Sequence, residues 1–210
     1  MLGPSNQSFK LYTNKGSSGF VVEAALAKAG APTELITIDY GQGEQNSPAY
    51  ARINPMRQVP ALVLPDGTLM TESAAIIIHL ANLYPGSGLA PPVGTSAHAK
   101  FLRWMLFMVV NLYEADLRHV HTDRYTAVTD GVGAVKAAAA AHMARSFAVI
   151  ETALDPWLTG GELSIADGYL AMLCTWSPVP LTSPKFKALR GAIAADPAYG
   201  SVWARHGFAA

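Results

Sequence analysis

The segment from residue 54 to residue 80, NPMRQVPALVLPDGTLMTESAAIIIHL, constrains the fold of this chain more than any other. Two short apolar runs, 61–64 and 68–70, flank the sequence Pro-Asp-Gly at 65–67. The proline fixes φ, the aspartate can hydrogen-bond its own backbone, and the glycine tolerates positive φ, so the pattern predicts a β-hairpin. Because Pro60 has no N–H for a ladder, the hairpin is expected to begin at a sheet edge or a tight turn.

Two features beside the hairpin predict a binding site made of backbone groups. A cis Val59–Pro60 bond would turn the N–H and C=O of Val59 outward, as a strand edge onto which an extended peptide can pair. After the hairpin, Ser73 precedes an apolar helical run over 74–83. Unpaired N–H groups and the positive end of the helix dipole attract a carboxylate at such a position. The sequence therefore predicts a site for a short anionic peptide.

The residues before the hairpin predict one β-α-β unit. Residues 9–13 and 35–39 have the composition of strands, and residues 19–29 that of a helix ended by Gly30. A connection of this kind favours a parallel pair of strands. A polar loop with an irregular helix is expected over 41–51, so the hairpin and its helix complete the order βαβ-ββα.

These elements, in this order, resemble the glutathione transferase family, whose thioredoxin-like domain carries a Val-Pro step, a hairpin and an ESxAI motif. The last motif is ESAAI at 72–76 in this chain. The resemblance implies that Val59 pairs with the cysteinyl backbone of glutathione, the co-substrate, while Glu72 and Ser73 hold its γ-glutamyl end. The predicted glutathione site comprises Gln58, Val59, Pro60, Glu72 and Ser73.

A change of composition after residue 84 predicts a second domain. The sequence YPGSGLAPPVGTS is rich in Pro, Gly and Ser, as interdomain linkers are. We place the glutathione-binding domain at 1–85, the linker at 86–95 and the second domain at 96–210. Its long helical segments, over 99–120 and 132–154, imply the all-helical substrate-binding domain of the family.

A capping box and a single cysteine in the second domain are assigned structural roles. Ser164 stands three residues before Asp167, which predicts a capping box at the start of a buried helix. Cys174 lies among apolar neighbours and is expected to be a buried filler. As the single cysteine of the chain, it also excludes an intrachain disulfide.

Composition excludes several classes of partner. The 210 residues are half hydrophobic, enough for a sizeable core. Fifteen basic residues balance fifteen acidic ones, so no basic surface for nucleic acid is expected. No apolar run reaches the roughly 18 residues of a membrane span. The first residues lack the pattern of a signal peptide, which predicts a cytoplasmic location.

The chemistry of the family requires the glutathione sulfur as a thiolate, because the thiolate is the nucleophile. Lowering its pKa by two units takes roughly 2.7 kcal/mol, and one hydrogen bond to a charged acceptor supplies about 1.5–3 kcal/mol. Ser17 and Ser18, between the first strand and helix, are the candidate donors. Ser17 falls where serine-type, theta-like transferases carry their hydroxyl, and Ser18 where the bacterial beta class carries a cysteine. The resemblance favours Ser17, with Ser18 as the alternative, although either serine could simply cap the helix.

The resemblance places the electrophile between the domains, against the first long helix of the second. Aligned on its tryptophan, Tyr113 falls where beta-type enzymes carry a histidine near the sulfur, so the resemblance makes it a candidate to steady a leaving group. His119 and His121 are two residues apart and do not share a helix face, so no metal is expected. The candidate pocket residues, most of them expected in the core, are Trp104, Met108, Asn111, Tyr113 and Arg118.

The sequence thus predicts a cytoplasmic, homodimeric glutathione transferase that conjugates glutathione to small hydrophobic electrophiles. A glutathione-dependent lyase, isomerase or peroxidase on the same scaffold remains open, because these reactions share the thiolate. A non-catalytic docking module is a further alternative. Such a module need not keep Ser17, the Val59–Pro60 step and the Glu72–Ser73 pair together, as this chain does.

Overall fold

The computed structural model describes residues 8–209 and divides them into two compact units. The first comprises residues 8–89 together with 194–209, and the second comprises residues 90–193. The division at 1–85, 86–95 and 96–210 stays a prediction, and the C-terminal segment groups with the first unit in the structure.

Four strands form a mixed sheet in the first unit, in the order β2-β1-β3-β4. Strand β1 pairs with β2 in parallel and with β3 in antiparallel register, and β3 pairs with β4 in the predicted hairpin. The Asp66 carboxylate accepts from the Thr68 N–H at 2.8 Å within the turn. The strands are β1 Phe9–Thr13, β2 Thr33–Thr37, β3 Ala61–Val63 and β4 Leu69–Met70.

Strand β2 begins and ends two residues earlier than the range 35–39 predicted from β-branched composition. The prediction of its bounds was wrong because pairing with β1 stops where Thr37 lies opposite Thr13. Beyond that point the chain turns at Asp39, whose carboxylate accepts from the Gly41 N–H at 2.8 Å.

Helices occupy most of the remaining chain. In the first unit, α1 packs on β1 and against α3 and α9. Leu11, Phe20, Leu62 and Ile76 are fully buried, and burial of each such side chain contributes about 1.5–3 kcal/mol. The helices are α1 Gly19–Lys28, α2 Pro48–Ile53, α3 Ser73–Leu83, α4 Ser96–Met108, α5 Glu114–Val120, α6 Val132–Ala153, α7 Ile165–Trp176, α8 Pro184–Ala195 and α9 Tyr199–His206.

The second unit contains one departure from the predicted helices. A π-helical turn, Val109–Tyr113, separates α4 from α5, so the continuous helix expected over 99–120 is interrupted. The capping box at α7 is confirmed: one Asp167 oxygen accepts from the Ser164 N–H at 2.8 Å, and the other accepts from the Leu158 N–H at 2.9 Å. Among the described residues, no helix is both long and apolar enough to cross a bilayer.

Candidate functional site

The sheet topology brings three predicted site segments to the same end of the sheet. Because β1 and β3 are antiparallel, Tyr12 near the end of β1 lies opposite Ala61 at the start of β3. Because β3 and β4 are also antiparallel, Met70 at the end of β4 lies opposite Leu62. The turn after β1, the Val59–Pro60 step before β3 and the Glu72–Ser73 pair after β4 therefore share this end.

The Val59–Pro60 peptide bond is cis, as predicted. The Val59 N–H donates to the Tyr40 hydroxyl at 3.1 Å. Val59 itself is buried in a cluster with Ile38 and Tyr50. A peptide that pairs with the Val59 N–H must therefore replace the Tyr40 hydroxyl, a neighbour that the sequence did not reveal.

The carbonyl before Val59 is held by two side chains. Gln58 O accepts from the Tyr50 hydroxyl at 2.7 Å and from the Asn54 side-chain amide at 2.7 Å. Asn54 also accepts from the Met56 N–H at 3.0 Å, and burial raises the pKa of Tyr50, which keeps its proton available for donation. These bonds fix the backbone direction at Val59, whereas the Gln58 side chain is exposed.

Helix α3 begins one residue earlier than predicted. Ser73 is its first residue and Glu72 takes the capping position, so the helix includes Ser73 as well as the predicted run over 74–83. The cause is the Glu72 backbone, whose φ of 64° and ψ of 99° lie outside the helical region. Residues other than glycine adopt positive φ at a cost of about 1–3 kcal/mol, and residues with such strained backbones cluster at functional sites. Glu72 is exposed and Ser73 is buried.

The turn between β1 and α1 is built around the two candidate serines. The Ser17 hydroxyl donates to Asn14 O at 2.6 Å and accepts from the Gly19 N–H at 3.1 Å. Ser18 occupies the capping position of α1 without a side-chain bond to the helix N–H groups, and it is buried. Ser17 is the more exposed of the two, but its proton is directed at a backbone carbonyl.

Glycine is required at the first residue of α1. A Cβ on Gly19 would overlap the Thr13 side chain, including its hydroxyl oxygen. That oxygen is buried and has no hydrogen-bond partner within residues 8–209. The close approach of β1 to the start of α1 therefore leaves no room for a larger residue directly after the serines.

The predicted electrophile residues occupy different environments within the second unit. Trp104 and Met108 lie in the core, with exposed fractions of 2% and 0%. Tyr113, at the end of the π-helical turn, packs edge-on against Trp176 with ring centroids 5.6 Å apart. Asn111, in the same turn, donates to Phe107 O at 3.0 Å. Arg118 is exposed and pairs with Glu114 at 3.1 Å. Only the last three retain solvent exposure for a ligand.

Titratable side chains that could hold a metal are dispersed in the part of the chain that the structure describes. No group of three His, Cys, Asp or Glu side chains there is close enough to bind an ion. Cys174 is buried, as predicted, and burial raises the pKa of its thiol to about 12.

Comparison of the sequence with known proteins shows which family it resembles. Residues 7–82 match the family described as the glutathione S-transferase N-terminal domain. Over 171 residues the chain is 28% identical to glutathione S-transferase GstA of Escherichia coli O157:H7, covering 80% of this chain and 82% of that protein. Residues 7–82 are thereby assigned to the N-terminal domain of glutathione S-transferases.

Solved glutathione S-transferase structures agree with both units. A glutathione transferase homolog from Sulfitobacter, with bound glutathione, superposes with a TM-score of 0.86 at 26% identity, covering 93% of this chain and 96% of that one. A sphingomonad glutathione S-transferase complexed with glutathione gives 0.80 at 28% identity, covering 95% and 100%. The predicted thioredoxin-like domain followed by a helical glutathione S-transferase domain is confirmed.

Some residues around the candidate site were not found from the sequence. Tyr40 and Tyr50 contact the backbone at 58–59 from loops and helices outside the motifs. His206 accepts from the Gly16 N–H in the β1–α1 turn at 3.2 Å, although 190 positions separate the two residues. A tyrosine in a polar loop or a histidine near the C-terminus gives no local signal of such a contact.

Proposed function

We propose that this protein is a glutathione transferase that holds glutathione at the shared end of the sheet and transfers its thiolate to small hydrophobic electrophiles. The observation that carries the proposal is that the Val59 backbone, the strained start of α3 and the β1–α1 turn lie at the same end of the sheet. The match of residues 7–82 to the glutathione S-transferase N-terminal domain and the glutathione bound to similar structures support it.

Each segment has a distinct role in this proposal. The Val59 backbone, with Gln58 and Pro60 beside it, pairs with the cysteinyl unit after displacing the Tyr40 hydroxyl. Glu72 binds the γ-glutamyl ammonium through its exposed carboxylate. Ser73 and the first turn of α3 take the γ-glutamyl carboxylate, because first-turn N–H groups have no acceptors within their own helix.

Ser17 is our preferred thiolate donor, and Ser18 is the alternative. The Ser17 hydroxyl must leave Asn14 O to donate to the sulfur. A bond to a charged acceptor contributes about 1.5–3 kcal/mol and one to a neutral acceptor about 0.5–1.5 kcal/mol. The exchange therefore gains about 1 kcal/mol, and it lowers the thiol pKa by slightly less than about one unit. The dipole at the start of α1 supplies a further contribution of about 0.3–1 kcal/mol.

We assign the electrophile to the aromatic and polar segment at the π-helical turn. Trp104 and Met108 support this segment from the core, and Tyr113 remains the candidate to steady a leaving group. Asn111 and Arg118 are the polar groups available beside it. π-helical turns are frequent at functional sites, which supports this choice of segment.

The protein is proposed to act as a homodimer. Leu102, Leu106 and Val110 follow one another at intervals of four residues on α4 and the π-helical turn, and all three are exposed, Leu106 by 61% and Val110 by 62%. A stripe of this kind favours burial against a second copy of the chain. A cytoplasmic location stays a prediction.

Calorimetric titration with glutathione tests the proposed site. We expect the wild-type chain to bind glutathione at millimolar concentration or below and Glu72→Ala to weaken binding by about 2 kcal/mol, since one charge-assisted pair is lost. Glu162→Ala, at an exposed position in the second unit, is the control and should bind as the wild type does. Absence of wild-type binding, or unchanged affinity in Glu72→Ala, would contradict the proposal.

A panel of activated aryl halides, epoxides, isothiocyanates and hydroperoxides then separates the possible reactions. Conjugation of at least one of the first three classes is the expected result. Turnover of hydroperoxides alone would instead identify a glutathione-dependent peroxidase on the same scaffold.

A further inference from the structure

The C-terminal end of α9 contacts the turn that carries the candidate serines. The Gly16 N–H donates to His206 Nδ1 at 3.2 Å. A Cβ placed on Gly207 would lie 2.9 Å from Lys15 Cε, so the Lys15 side chain crosses directly over that glycine. Two consecutive residues of the turn are thus in contact with two consecutive residues at the end of α9.

Glu23 fixes the protonation of the His206 ring. The His206 side chain is only 4% exposed and its Nε2 lies 2.9 Å from Glu23 Oε2. A carboxylate only accepts hydrogen bonds, so the ring proton belongs on Nε2. Nδ1 is then left with its lone pair, which is the form required to accept from the Gly16 N–H.

The ring is also fixed in position. Glu23 lies one turn into α1, is 5% exposed, and pairs through its second oxygen with Arg205. Phe208 stacks on the imidazole with centroids 5.8 Å apart, and the edge of Phe20 approaches it at 5.7 Å. The His206 ring is therefore held in one orientation, by hydrogen bonds at both nitrogens and by aromatic contacts with its faces.

The hydrogen bond to His206 holds the β1–α1 turn at Gly16, the residue of the turn with the least restricted backbone. Gly16 has a φ of 75°, a conformation favoured by glycine, and it directly precedes Ser17. The Ser17 hydroxyl lies between Asn14 O and the Gly19 N–H, so a rotation at Gly16 would redirect the hydroxyl.

We propose that His206 is a positioning residue, whose Nδ1 holds the Gly16 amide and thereby directs the donors of the β1–α1 turn toward the glutathione sulfur. This inference rests on the proposed function. Its consequence is that a residue of the last helix, paired with Glu23, sets how far bound glutathione is ionised, without touching glutathione itself.

The contact depends on a neutral ring. A protonated His206 would place an N–H on Nδ1 against the Gly16 N–H, so two donors would face each other. The charged groups that face the ring are Glu23 from α1, Lys15 from the turn and Arg205 from its own helix. Burial, followed by the positive charges of Arg205 and Lys15, lowers the pKa of His206 to about 4. The contact is therefore expected to persist near neutral pH.

Two variants separate the two nitrogens of His206. In His206→Asn the side-chain oxygen can occupy the place of Nδ1 and accept from Gly16, whereas the bond to Glu23 is lost. In His206→Gln the longer side chain can donate to Glu23 from the place of Nε2, and the acceptor for Gly16 is lost. The measurement is the pKa of bound glutathione, from thiolate absorbance against pH, together with the glutathione dissociation constant.

We expect His206→Gln to raise the pKa of bound glutathione by up to about one unit, which is up to about tenfold less thiolate at a fixed pH. The dissociation constant measured below the thiol pKa should stay within about twofold of the wild-type value, since His206 makes no contact with glutathione in this proposal. His206→Asn should keep most of the wild-type ionisation. Wild-type ionisation in His206→Gln, or the same loss in both variants, would overturn the proposal.

Nuclear magnetic resonance of the wild-type chain tests the proposal even if a variant fails to fold. With histidine labelled with ¹⁵N, we expect His206 to show the Nε2-protonated neutral form near pH 7 and the Gly16 amide proton to show a downfield, hydrogen-bonded shift. A proton on Nδ1, or a Gly16 amide that exchanges freely, would overturn it. If wild-type glutathione binding is absent, the proposed function fails. If glutathione binds and ionises but does not respond to His206→Gln, only the positioning role fails.

Discussion

At the scale of single residues, Asp116 is a buried carboxyl group whose protonation should govern part of the stability. Its side chain is 8% exposed, and Oδ1 has no hydrogen-bond partner among the residues described. Burial raises the pKa of Asp116 to about 6, while the nearby His119 opposes the rise. Folding favours the protonated form of Asp116. The protein therefore loses folding stability as the pH rises from about 4 to about 6, and it regains none of this stability at higher pH.

We predict that Asp116→Asn stabilises the protein by about 2 kcal/mol at pH 7.5 and by little at pH 4, because asparagine cannot ionise. Urea denaturation at both pH values measures the difference. Asp123→Asn, at an exposed position on the following turn, is the matched control and should change little. An equal effect of Asp116→Asn at the two pH values would show that the carboxyl group is not responsible.

The structure lowers the expected contribution of the Ser17 hydroxyl to the pKa of bound glutathione. A hydrogen bond of about 1.5–3 kcal/mol to the charged sulfur would lower the thiol pKa by about one to two units, but the competing bond to Asn14 O reduces the net contribution of the Ser17 hydroxyl. We predict that Ser17→Ala raises the pKa of bound glutathione by about one unit at most, with unchanged affinity for a thioether conjugate. Spectrophotometric titration of the bound thiol is the measurement.

Ser18→Ala is the companion variant for Ser17→Ala and should have the smaller effect. The reverse order would move the donor role to Ser18. Wild-type titration in the double variant would leave the backbone N–H groups at the start of α1 as the donors.

At the scale of elements, the start of α3 combines a binding role with backbone strain. Glu72 has positive φ, and alanine at the same position keeps that strain while glycine relieves it. We predict that Glu72→Gly is more stable than Glu72→Ala by about 1–2 kcal/mol, as measured by urea denaturation. Both variants should lose glutathione affinity to a similar degree, because both lack the carboxylate. Equal stability would mean that the strain is relaxed elsewhere.

The elements also show which parts of the fold the sequence could predict. The β1 strand, the hairpin and the α7 capping box follow from local residue chemistry, and the structure confirms them. The bounds of β2 depend on where its partner strand ends, and the π-helical turn depends on packing within the second unit. Local patterns do not contain that information.

The candidate site divides in the same way. The Val59–Pro60 step and the Glu72–Ser73 pair are motifs of adjacent residues, so they were visible in the sequence. The Tyr40 hydroxyl on Val59 and the His206 imidazole on Gly16 join residues 19 and 190 positions apart. Such contacts are set by the completed fold, since no short-range pattern relates their partners.

At the scale of the whole molecule, the exposed stripe on α4 predicts the state of assembly. Leu106→Lys should convert a dimer to a monomer, or weaken the dimer by at least about tenfold, since it would bury a charge in an apolar interface. Light scattering coupled to size-exclusion chromatography measures the mass. Val149→Lys, at a side chain 45% exposed on α6, is the control and should leave the dimer intact. A monomeric wild-type chain, or a dimer unaffected by Leu106→Lys, would contradict this assignment.

The grouping of residues 194–209 with the first unit has a consequence for how the protein is made. When residue 89 has been synthesised, residues 194–209 do not yet exist. They include Trp203, which packs edge-on against Phe20 with ring centroids 5.3 Å apart, and Asp196, which pairs with Lys28 at 3.2 Å. Both ends of α1 must therefore wait until the entire second unit has been translated before these partners are available. During that interval, the Phe20 side chain lacks the Trp203 and Phe208 rings that pack against it in the complete chain.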